Sequence, residues 1–71
     1  MSVLNQTIKR AGQQYYKGSE HIAFLGYDIY IHRALMILTI YKGVNLKNNT
    51  QFVSPAQLHA KLEAFKLQTL K

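Results

Sequence analysis

The segment Ser19 to Lys42 constrains this chain most, because projected as a helix it is apolar on nearly every side, and the whole protein has only 71 residues. Two short flanking elements cannot cover such a helix, so the pattern calls for a partner. A domain below about 80 residues buries a small core and relies on disulfides, a metal, a partner or unusually good packing. Cysteine is absent, which removes the first of these. Hydrophobic residues make up 48% and charged residues 17%, far from the composition of a disordered chain. The expectation is a folded, oligomeric protein.

Residues 2–16 read as an amphipathic helix, with Leu4, Ile8, Ala11 and Tyr15 on one face and Gln6, Lys9, Arg10, Gln13 and Lys17 on the other. Lys17-Gly18 supplies a cation and a left-handed cap at its end. Ser19 then caps a second helix over 19–43, with Glu20 in its first turn. On the helical wheel His21, Asp28, His32 and Thr39 form one narrow polar stripe. Ile22, Leu25, Ile29, Met36, Ile37 and Ile40 lie on one flank of it, and Phe24, Tyr27, Ile31, Leu35 and Leu38 on the other. A hairpin turning at Gly26 competes with this reading, since the segment is rich in isoleucine and tyrosine. The stripe, together with poor alternation over Tyr27–Arg33 and Ala34–Ile40, favours one long helix.

Gly43 closes that helix, and Val44–Val53 reads as an exposed connector whose last residues, Thr50–Val53, are extended. Ser54-Pro55 places a cap before a proline at the first helical position and so starts a third helix, over 54–70. Its main apolar face is Leu58, Leu62, Phe65 and Thr69, and Ala56, Ala60, Ala64 and Leu67 make a smaller one. The fold class read from the sequence is therefore all-α, a single domain over 1–71 whose three helices join a dimeric bundle. In outline the order and relative lengths resemble the histone-type fold, and that resemblance implies an intertwined dimer. The candidate interface residues are Phe24, Tyr27, Ile31, Leu35 and Leu38, with Arg33, which falls outside the polar stripe.

No catalytic constellation is legible. Ser2, Ser19 and Ser54 sit at helix starts, the acids Glu20, Asp28 and Glu63 share no face at catalytic spacing, and the glycines are scattered singly. The chain reads as a non-enzyme without a cofactor. Asp28 and His32 at i, i+4 form the one metal-like pair, but His21 would lie about 10 Å along the helix from Asp28, too far for one coordination shell. No metal site is expected.

The formal charge of +6 is the stronger clue. Lys9, Arg10 and Lys17 precede any acid, and Lys47, Lys61, Lys66 and Lys71 follow. Cations interleaved with amides suit phosphate and base-edge contacts, so Lys9, Arg10, Gln13, Lys17 and Lys47 are the candidate nucleic-acid-binding residues. The alternative is a small inhibitor or adaptor, of the kind carried by mobile elements, docking on an acidic protein partner. Tyr16 and Tyr41 are open as base-stacking groups. Ile22–Tyr41 is long enough to span a bilayer, but Asp28, His32 and Arg33 near its centre argue against it. With no secretory signal at the start of the sequence, the cytoplasm is the expected compartment.

Overall fold

Three Xaa-Gly or Gly-Xaa pairs, Ala11-Gly12, Leu25-Gly26 and Gly43-Val44, set the architecture by reversing the chain. Ala11 and Gly12 have φ 52° and 81°, and Leu25 and Gly26 have φ 49° and 83°. Positive φ at both central residues is the type I′ geometry, whose twist matches that of the strands it joins. The computed structural model describes residues 6–70. The start of the first expected helix, with Ser2 and Leu4, and the final Lys71 lie outside them.

The described chain is a β protein with one helix. β1 (Thr7–Arg10) and β2 (Gln13–Tyr16) form a two-stranded antiparallel ribbon. β3 (Glu20–Phe24), β4 (Tyr27–His32), β5 (Ile37–Lys42) and β6 (Asn45–Gln51) follow as a four-stranded antiparallel meander in that order, and α1 (Pro55–Thr69) ends the chain. The all-α expectation is overturned, and with it the histone-like outline. The described part of the first expected helix holds the ribbon, Thr7–Arg10 and Gln13–Tyr16, and 19–43 hold β3, β4 and β5. Val44–Val53, read as a connector, contributes β6.

The central strands alternate once tyrosine is counted as a polar-tipped residue. Tyr27, Ile29 and Ile31 alternate with Asp28, Tyr30 and His32 along β4, and Leu38 and Ile40 alternate with Ile37, Thr39 and Tyr41 along β5. One face of the sheet packs on α1. Ile29, Ile31, Leu38 and Ile40, all 2% exposed or less, join Phe52 and Leu58 in the core, flanked by Phe24, Tyr27, Met36, Leu62 and Phe65. The opposite face carries the ribbon. Because both faces of β4 and β5 are covered, eight of their twelve residues are buried and three more half-buried, which is how a strand comes to look apolar all round.

The helix starts where the sequence places it. The Ser54 hydroxyl accepts from the Gln57 amide at 3.1 Å, Pro55 fills the first turn, and the Gln57 side chain accepts from the Val53 amide at 2.7 Å. Leu58, Leu62 and Phe65 face the sheet, with Phe65 edge-on to Tyr27 at 5.0 Å between ring centres. The second face, Ala56, Ala60, Ala64 and Leu67, is exposed. No described helix is long and apolar enough to cross a membrane.

Candidate functional site

The ribbon meets the sheet edge-on. The Tyr41 hydroxyl donates to the Gln14 carbonyl at 2.9 Å and accepts from the Gln14 amide at 3.0 Å. Both groups lie on the edge of β2 that is turned away from β1, so β2 is the foot of the ribbon and β1 its crest. Every residue of β1 is exposed.

Gln13 locks this foot in place. Its side chain, 6% exposed in a chain where amides are mostly on the surface, donates to Asp28 at 2.7 Å and to the Gly43 carbonyl at 2.8 Å. Its carbonyl oxygen accepts from the Tyr30 hydroxyl. Tyr15 stacks on Tyr30 with ring centres 4.0 Å apart and planes 8° from parallel, and His21 lies against Tyr30 at 4.9 Å. Asp28 also accepts from His21 at 2.7 Å. The Gln13 and His21 hydrogen bonds hold the Asp28 carboxyl below its ordinary pKa, outweighing partial burial. Burial pushes the Tyr30 hydroxyl up, with the negative charge of Asp28 adding to it, so Tyr30 remains a donor.

At the other end of the ribbon, His32 joins two turns. Its Nε2 bonds the Lys17 carbonyl and its Nδ1 accepts from the Leu35 amide, each at 3.0 Å. A carbonyl partner requires a proton on Nε2 and an amide partner requires a lone pair on Nδ1, so these two bonds fix the neutral tautomer. The i, i+4 pairing of Asp28 with His32 does not form. His21, which a helix would hold far from Asp28, instead touches it, because β3 pairs with β4. Among the described residues no three potential ligands stand close enough together to hold a metal ion.

A cleft opens on each side of the ribbon. One, of about 310 Å³, is lined by Thr7, Gln14, Tyr16, Thr39, Tyr41 and Asn49; the other, of about 290 Å³, includes Arg10, Tyr15, His21 and Tyr30. The candidate nucleic-acid residues therefore separate. Lys9 and Arg10 stand on the crest and Lys17 in the turn after β2, all exposed, whereas Gln13 is buried under the ribbon. Lys47 lies on the far side of the sheet, lining a groove with Tyr27 and Phe65.

The candidate interface residues also divide. Ile31 and Leu38 are spent in the chain's own core, and Phe24 and Tyr27 are half-buried against it. Leu35 is half-buried in the β4–β5 turn. Arg33 is exposed and bonds Glu20 at 2.7 Å, which lowers the carboxyl pKa of Glu20 and raises that of the guanidinium. Tyr41 is a structural clamp and is 8% exposed.

Sequence reasoning missed the Tyr15–Tyr30–Tyr41 and Gln13–Asp28 cluster altogether. The available signal was the alternation of Asp28, Tyr30 and His32 along one strand. The chain matches no protein-family model, and neither the curated proteins nor the solved structures give a match to it.

Proposed function

We propose that this protein binds nucleic acid through the crest of its ribbon, as a non-catalytic module. The observation that carries the reading is a charge asymmetry. Lys9, Arg10 and Lys17 are exposed and take no part in an ion pair among the described residues, while the nearby acids Glu20 and Asp28 are engaged by Arg33 and His21. The cations thus face solvent without local neutralisation.

Geometry adds a second support. A two-stranded antiparallel ribbon fits the major groove of a duplex. Residues whose backbone groups point away from β2, Thr7 and Lys9 by the alternation of the ladder, offer amides to phosphate oxygens. Gln6, Thr7 and Gln14 offer amide and hydroxyl groups beside them for base edges.

Fluorescence anisotropy with a short duplex and a single strand, over a series of salt concentrations, tests the reading. The wild-type chain is expected to bind and to release the probe as salt rises. Replacing Lys9, Arg10 and Lys17 with alanine should weaken binding and reduce the slope of log K against log salt by about 0.9 per cation that contacts duplex phosphate. Absence of binding at low salt, or equal slopes for wild type and variant, refutes it.

A further inference from the structure

Among the described residues the meander has two free edges, β3 and β6, and they differ. β6 carries Lys47 and a register shift opposite Ile40 and Tyr41, the features that discourage edge-to-edge pairing. β3 pairs regularly along its whole length and has no lysine, arginine, proline or bulge in Glu20–Phe24. On a chain with a formal charge of +6, it is the edge a second copy can approach without meeting a row of like charges.

We propose that two copies of this chain join antiparallel through β3 with the two-fold axis at Ile22, merging their meanders into one continuous sheet. The register follows from the ladder. Phe24 and Tyr27 close a two-residue turn and exchange hydrogen bonds, so Ile22 and Glu20 also aim their backbone groups at β4. His21 and Ala23 aim theirs outward. With the axis at Ile22, His21 of each copy lies opposite Ala23 of the other, and the outward amides and carbonyls satisfy one another. A shift of one residue would set outward groups against residues whose own groups are already used.

Side chains agree with this register. Ile22 lies opposite fully buried Ile29 on the helix-covered face, yet it is 40% exposed, since no described strand pairs beyond β3. In the dimer the two Ile22 side chains meet in a non-hydrogen-bonded pair, where cross-strand contact is closest. Glu20 of one copy comes opposite Phe24 of the other, and the Lys66 ammonium stands over that ring, 5.7 Å from its centre. Each Glu20, already bonded to its own Arg33, then gains the second copy's Lys66 as a counter-ion. The dimer would present two ribbons on one face of a single sheet, but its existence is independent of what the ribbons bind.

Sedimentation velocity over a range of concentrations, with circular dichroism to monitor the fold, tests the proposal. The wild type is expected to dimerise, and Ile22→Lys and Ala23→Pro to be monomeric with unchanged spectra, since the first places a charge on the axis and the second removes only an outward amide. Glu20→Lys should weaken the dimer by about tenfold, and adding Lys66→Glu should restore it. Hydrogen exchange should show the His21 and Ala23 amides protected in the wild type and open in Ile22→Lys. A wild type that stays monomeric at high concentration overturns the proposal, as does a dimer that persists in both edge variants or leaves the His21 and Ala23 amides unprotected.

Discussion

Replacing Gln13 with alanine removes three hydrogen bonds at once and tests whether the ribbon is held as described. The bonds to the Gly43 carbonyl and from the Tyr30 hydroxyl join neutral groups and are worth about 1 kcal/mol each. The bond to Asp28 is charge-assisted, but that carboxylate is 31% exposed and keeps His21, so it too is set at about 1 kcal/mol rather than the upper end of its range. The sum is about 3 kcal/mol, which for a domain of this size lowers Tm by about 12 to 24 °C. Urea unfolding followed by circular dichroism gives the stability directly. Amide exchange at Gln14 reports whether the foot of the ribbon has lifted, because that amide is held by Tyr41. A loss below about 1 kcal/mol with Gln14 still protected would refute the assignment of Gln13 as the lock.

Two further predictions follow from the same structure. Asp28 has a pKa depressed in the folded state, so its contribution is present above the unfolded carboxylate value and is lost as pH falls through the folded one. Acid titration should therefore loosen the ribbon below the ordinary carboxylate range, and Asp28→Asn should flatten that part of the stability profile; an identical profile for the variant would exclude Asp28 as its source. Leu25 is 58% exposed and has φ 49° in a type I′ turn, a conformation that costs a leucine about 1 to 2 kcal/mol and that asparagine before glycine adopts readily. Leu25→Asn should raise stability by about 1 kcal/mol in urea unfolding, and a loss of stability would show that the leucine's packing outweighs the strain.

The two ends of the chain differ in how much could be read from sequence. At Ser54-Pro55 the signal is local: a cap hydroxyl and a proline act on the next turn of backbone, so the start of α1 and the inward face Leu58, Leu62 and Phe65 were legible. In Ser19–Lys42 the signal is tertiary. His21, Asp28, His32 and Thr39 do share a face, but it is a face of a sheet, assembled by cross-strand register, and a helical wheel reproduces their grouping by coincidence of spacing. Tyrosine made the difference. Tyr30 reads as apolar in a sequence count, while in the structure its hydroxyl bonds Gln13 and its ring stacks on Tyr15, so it belongs with the polar set.

The sequence alone determined that the chain carries an excess of positive charge, cannot use disulfides, contains more apolar residues than a solvated surface tolerates, and begins a helix at Pro55. Those properties depend on composition or on contacts a few residues apart. Which backbone geometry the apolar segment adopts was decided only by tertiary structure. β4 and β5 are covered on both faces because α1 packs on the apolar face and the ribbon on the polar-tipped one, and both covers lie outside the segment itself. The same physics moved Gln13 from the expected binding face to the interior and left Lys9, Arg10 and Lys17 in solvent. An amide is buried where three partners distant in sequence, two on β4 and one in the β5–β6 turn, converge on it, and a sequence window does not contain those partners.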